Sequence, residues 1–368
     1  MTLPQHGRMS SALAGLFPGY FALVMATGIV SIACRLMGLP EVAWVLLAMN
    51  LVAYGVLASL TLARAVLHPG RLLSDLASHA RGPGFFTLVA GTNVLGAQCL
   101  AIAGWRDAAA VLWAIGLVLW LVVMYGFFTA VIVRAQKPTL EEGINGAWLI
   151  AAVATQSVAV LGIALGTAFG WEAEAVAFVA LVFFLVGSML YLAIITLIFY
   201  RFTFLPLETA TLTPPYWINM GAVAIATLAG SSLLLAADRS PLLTEIAPFL
   251  AGFTLFFWST ATWWIPLLLL LGAWRHLWRR HPLAYDPQYW GMVFPLGMYS
   301  AATWRLAEAL PFAPLAGVAR AFLPVALVAW AATALGMAAA GVKAMRSSGG
   351  PPRSTEAARP TDLDSRRS

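Results

Sequence analysis

Residues 18–32 read PGYFALVMATGIVSI and residues 83–97 read PGFFTLVAGTNVLGA. Both open on Pro-Gly and two aromatics. Both then run into an apolar stretch broken near its middle by small and polar residues, Ala26-Thr27-Gly28 in the first and Gly91-Thr92-Asn93 in the second. Proline suits the first turn of a helix, where no intrahelical donor is lost, so each stretch reads as a helix start. Related starts recur at Asn145, Pro215 and Pro287, with Trp148, Tyr216-Trp217 and Tyr289-Trp290 supplying the aromatics. The five starts lie 62 to 72 residues apart, enough for two spans of about 20 residues each.

Composition agrees with a chain in lipid. Hydrophobic residues make up 61% and charged ones 10% of the 368, with a mean hydropathy of +0.85, whereas a soluble domain carries about half and about a quarter. Apolar runs fall at 17–36, 41–64, 83–104, 108–133, 144–168, 174–200, 215–236, 246–274, 288–308 and 316–342. They predict an all-α integral membrane protein of ten transmembrane helices, a single domain over residues 12–345. A short cytoplasmic segment, 1–11, precedes it; the polar, Pro-rich tail 346–368 is expected to be disordered. The runs lack two-residue alternation and are too long for strands, which sets aside a closed barrel. The first run reads as a membrane helix, since one Arg precedes it and no small-residue cleavage site follows.

The net charge of +6 does not point to nucleic acid, because the basic residues sit in short clusters between apolar runs. With the N-terminus in the cytoplasm, only Arg35, Arg106, Arg239, Arg305 and Arg320 of the 21 Lys and Arg fall in outer links. The positive-inside rule then sets both termini on the cytoplasmic side of an inner, plasma membrane.

The two helices of each unit differ in kind. Odd ones carry polar or small residues at mid-span: Thr27 and Gly28, Thr92 and Asn93, Thr155 and Gln156, Asn219 and Thr227, Gly297 and Tyr299. Even ones, such as AAAVLWAIGLVLWLVVMYGFFTAVIV over 108–133, are bulky and almost unrelieved. Polar groups at membrane depth face a bundle interior or a water-filled path, and bulky apolar ones suit lipid. Five hairpins in a quasi-fivefold arrangement would thus place the odd helices around a central pore, with Thr27, Thr92, Asn93, Thr155, Gln156 and Asn219 as candidate lining residues. The other reading is that these small and polar residues let helices pack closely.

None of the 15 carboxylates lies in the middle of a span. Proton relays and cation pathways commonly use intramembrane acids, so both lose ground to passage of anions past hydroxyls, amides and helix-end dipoles. Cys34 and Cys99 sit in apolar runs without metal-ligand spacing, none of the five histidines is mid-span, and no HExxH, GxSxG or Walker pattern occurs. The chain is therefore expected not to be an enzyme and to hold no metal or cofactor. In the ninth helix Pro295 should bend the backbone beside Phe294. A ring aimed into a pore lined by small groups would close it as a hydrophobic constriction; the alternative is an ordinary core phenylalanine. Arg305 is the one basic anchor near a span, with Glu308 three residues on as its pairing partner.

The stretch FPGYFALVMATGIVSIA at 17–33 and the Trp-x3-Phe-Pro pattern of Trp290, Phe294 and Pro295 resemble the voltage-dependent anion channel family. That family comprises tellurite-resistance proteins, C4-dicarboxylate and malate transporters, and plant guard-cell slow anion channels. The resemblance spans about residues 12–345. It implies five hairpins around an anion pore and a homotrimer with one pore per subunit. It also implies Phe294 as the gating ring, faced by a glycine of the first helix, Gly28 with Gly19 nearby. The long N-terminal regulatory region of the plant members has no counterpart here. The expected function is an anion channel or facilitative transporter for small inorganic anions or C4-dicarboxylates. The alternative is a proton-coupled dicarboxylate carrier, or a sulfite or tellurite efflux protein.

Overall fold

The computed structural model describes residues 5–348; most of the expected tail, 349–368, lies outside the described residues. Within them the chain is helical, with no strand. Its ten long helices are α1 Ala22–Leu36, α2 Pro40–Leu67, α3 Phe86–Gln98, α4 Arg106–Val133, α5 Ile150–Phe169, α6 Ala173–Phe204, α7 Ile218–Leu235, α8 Pro241–Ala273, α9 Trp290–Ala309 and α10 Pro314–Ser348. Short helices at Gln5–Ala14, Pro69–Leu76 and Leu140–Gly143 lie between or before them. The first of these falls largely in the segment read as a plain N-terminal extension, and α10 runs past the expected 342.

Among the described residues, nine of these helices, taken with their flanking turns, are long and apolar enough to cross a membrane. The ninth, α9, is not one of them, because Pro295, Tyr299, Ser300, Thr303 and Arg305 lower its apolar content. It packs against α1, α7 and α10 and most of its residues are buried, so Tyr299, Ser300 and Thr303 meet protein rather than lipid.

The repeated Pro-aromatic signature becomes a repeated shape. Each odd helix begins with one 3-10 turn: Pro18–Phe21, Gly82–Phe85, Gly146–Leu149, Pro214–Trp217 and Pro287–Tyr289. Where proline is missing from the third, the Asn145 side chain caps the turn by accepting from the Ala147 amide at 2.9 Å, a standard substitute for an orphan donor's partner. These turns touch one another in a closed circuit, and two glycines permit the approach. A Cβ on Gly84 would lie 2.9 Å from the Gly19 nitrogen, and one on Gly146 would lie 2.3 Å from the Pro215 carbonyl oxygen.

The odd helices close a second circuit below the turns, α1 to α3 to α5 to α7 to α9 and back to α1. In four of the five, 72–89% of the spanning window is buried, against 11–39% in the even helices. The even helices therefore form the outer layer, exposing residues such as Leu62, Val118, Leu270 and Leu335 to what would be lipid. At the ends of α2 and the following helix, Asp75 accepts from Arg64 at 2.6 Å and pairs with Arg81 at 2.9 Å. Both arginines also donate to the Leu16 carbonyl, tying the N-terminal segment to the first hairpin.

Candidate functional site

Two cavities enter the inner layer from opposite ends. The first, about 600 Å³, lies at the 3-10 turns; the second, about 540 Å³, lies at the C-terminal ends of the odd helices. Both are lined by all five odd helices or their opening turns. On α1, Ala22 and Met25 face the first cavity and Ile29, Ile32 and Leu36 the second; on α9, Gly291 and Phe294 face the first and Met298, Ala301 and Arg305 the second. Steps of three and four residues mark one continuous helix face, so the cavities are collinear along these helices.

On the other three helices the last residue of one cavity and the first of the next are seven apart or nearly so: Thr87 and Asn93 or Val94 on α3, Ile150 and Ser157 on α5, Ile218 and Ile225 on α7. At 1.5 Å rise per residue, a barrier of about 6–10 Å separates them. The helical spacing puts Ala90-Gly91, Val153-Ala154 and Gly221-Ala222 at this level. Phe294, 1% exposed, is the last residue of α9 to line the first cavity before this level. Pro295, inside α9, packs on Gly221, where a Cβ would come within 2.7 Å of its Cγ.

Most of the polar residues singled out in the sequence are turned outward. Trp330 of α10 donates to Thr27 Oγ1 at 3.0 Å, Tyr54 of α2 bonds Thr92 at 3.1 Å, Trp120 of α4 donates to Thr155 at 2.9 Å, and Trp258 of α8 donates to Thr303 at 3.0 Å. On α7 the corresponding bond runs from Tyr191 of α6 to the Asn219 carbonyl at 3.4 Å. Each odd helix is thus tied to the even helix before it, and α1 to α10, which closes the circle. Gln156 donates to the Phe184 carbonyl and Ser188 on α6. The Asn219 side chain is fully buried without a hydrogen bond among the described residues. Gly28 sits where a Cβ would lie 2.6 Å from Val94 Cγ1 and 3.1 Å from Asn50 Nδ2; it is Gly19 that shares the first cavity with Phe294. Of the six polar candidates only Asn93 lines a cavity, the second, donating to Ser157 Oγ at 3.1 Å.

The sequence reading missed residues that the cavities use. Met25, Ile29 and Met298 line the cavities yet look like ordinary core; the 3-4-3-4 spacing on α1 and α9 was the signal that could have found them. Arg201, read as a topology signal, is 3% exposed and lines the first cavity with Tyr216. Arg305 does line the second cavity, but its Nη1 donates to Glu308 at 2.6 Å and both are well exposed. No cluster of metal-ligating side chains occurs among the described residues.

A family model described as voltage-dependent anion channel matches residues 16–338. An uncharacterized membrane protein of Mycobacterium tuberculosis is 39% identical over 150 residues, 40% of this chain and 75% of its own length. An uncharacterized transporter of Methanocaldococcus jannaschii is 24% identical over 318 residues, covering 80% of this chain and 86% of its own. A sulfite efflux pump of Arthroderma otae is 24% identical over 318 residues, 81% of this chain and 83% of its own.

Proposed function

The chain belongs to the voltage-dependent anion channel family, and we propose that it conducts small anions along the axis of the odd helices, closed at rest by Phe294. In this reading all ten helices cross an inner, plasma membrane as five hairpins in a quasi-fivefold arrangement, with both termini cytoplasmic. The assembly is a homotrimer with one conduit per subunit. The first cavity is then the cytoplasmic vestibule and the second the outer one.

One observation carries the proposal: two cavities lined by the same five helices are separated by a short barrier, and Phe294, followed by Pro295, is the aromatic ring of the odd helices that lines the first cavity next to it among the described residues. A short apolar plug excludes water and with it any hydrated ion, and the small residues opposite leave the path open once the ring moves. The path follows the cavity-lining face of α1 and α9. Thr27, Thr92, Thr155 and Gln156 hold the two layers together, and Asn93 alone of these candidates reaches the path.

The test is anion flux in liposomes holding only this protein, comparing chloride, nitrate, malate and sulfite. Phe294→Ala should raise conductance by about an order of magnitude or more, since the barrier it imposes is removed outright. Sulfite belongs in the set because the Arthroderma otae relative is named a sulfite efflux pump. Unchanged flux in Phe294→Ala, with malate uptake that saturates and follows a proton gradient, would replace the channel with a coupled carrier.

A further inference from the structure

Arg201 stands near the C-terminal end of α6 with its side chain buried at the wall of the first cavity. Its Nε donates to the Glu141 carbonyl at 3.0 Å, its Nη1 donates to the Tyr216 hydroxyl, and its Cζ lies 5.7 Å from the Tyr216 ring centroid. Those contacts fix the guanidinium plane without neutralising it. The ion pairs among the described residues are Arg64 and Arg81 with Asp75, and Arg305 with Glu308; Arg201 has none. A buried cation without a counter-ion is costly, and the remedy within reach is an anion in the cavity. The outer edge of the guanidinium, Nη2 and the second Nη1 proton, makes no hydrogen bond to a described residue. Tyr216, having accepted from Arg201, keeps its own hydroxyl proton to donate.

We infer that Arg201 and Tyr216 form the anion-binding subsite of the first cavity, and that it takes oxyanions, a carboxylate or a sulfite, ahead of a halide. This rests on reading that cavity as the mouth of the conduit. A guanidinium edge presents two parallel N–H donors that match two oxygens on one atom; a spherical halide cannot use the fork in that way. The opening turns of the five odd helices add amide dipoles of the same sign around the cavity. Glu141, Glu142 and Glu208 also line it, but Glu142 and Glu208 are exposed and Glu141 half-exposed, so the carboxylates lie toward its mouth.

The experiment reads binding apart from conduction. Thermal stabilisation of the purified full chain by malate, sulfite and chloride is titrated for wild type, Arg201→Gln, Arg201→Lys and Tyr216→Phe, and flux of the same anions is measured in the Phe294→Ala background. Charge-assisted hydrogen bonds of this kind are worth roughly tenfold in affinity. Arg201→Gln should weaken malate and sulfite stabilisation about tenfold and chloride by a clearly smaller factor, because chloride loses the charge but not the fork. Arg201→Lys keeps the charge without the fork and should fall between. Tyr216→Phe should weaken oxyanions a few-fold, roughly one neutral hydrogen bond's share. Equal losses for chloride and oxyanions in a folded Arg201→Gln, or no oxyanion stabilisation of the wild type, would overturn the subsite. Should Arg201→Gln fail to fold, an unchanged malate-to-chloride preference in Arg201→Lys would overturn it instead. A silent Phe294→Ala with intact, Arg201-dependent oxyanion stabilisation would sink the channel reading and leave the subsite standing.

Discussion

Gly221 on α7 lies so close to Pro295 on α9 that a methyl group in place of its hydrogen would stand 2.7 Å from Pro295 Cγ and 3.1 Å from Cβ. Pro295 is therefore seated on a neighbour that offers no side chain, directly beside the ring at 294. Gly221→Ala must push the two helices apart or shift Pro295 and the ring beside it. The expected result is a basal anion flux above wild type but below Phe294→Ala, with a stability loss of about 1–3 kcal/mol from overpacking. Gly252→Ala on α8, where a Cβ meets nothing within 4 Å, is the control. Lost stability with unchanged flux would show that the seat does not position the ring.

The threonines that look like pore lining act as ties between layers. Thr155→Val removes the acceptor of the Trp120 indole inside a buried contact. It should cost about 1 kcal/mol, one neutral hydrogen bond, seen as a lower melting temperature in detergent. Anion selectivity in the Phe294→Ala background should not change. Thr27→Val, which releases Trp330, should behave alike. A shift in selectivity at unaltered stability would return these hydroxyls to the conduit.

Among the described residues Asp75 is the carboxylate paired with the buried Arg64. Asp75→Asn leaves that guanidinium buried without its counter-charge, a change worth about 3 kcal/mol or more. Thermal or denaturant unfolding in detergent should show it, and the double change Arg64→Leu with Asp75→Asn should recover part of the loss, because the unpaired charge is gone. Equal stability of Asp75→Asn and wild type would mean the pair is dispensable to the N-terminal tether.

How much was legible follows from where each signal resides. The five helix starts could be read because a Pro or Asn with nearby aromatics is a local instruction: it acts on the first turn wherever the chain goes next. Phe294 drew notice for a local reason too, since Pro295 sits beside it in sequence, and it lines the first cavity. The lining was not. Thr27 and Met25 are two residues apart on one helix; which of them meets the cavity depends on Trp330, 303 positions away, and no pattern within α1 carries that information.

The sequence by itself determined that the chain is helical, that its long apolar runs suit a membrane, and that it repeats five times a pair of unlike helices. Those are properties of composition and short-range spacing. Only the tertiary structure decided which face of each odd helix looks inward, because the choice is made by pairwise hydrogen bonds and glycine contacts between distant segments. Arg201 makes the distinction plain. In sequence it is a charge at a helix end, one topology signal among many. It becomes a buried, unpaired cation at a cavity only when α6 closes against the opening turns of α5 and α7.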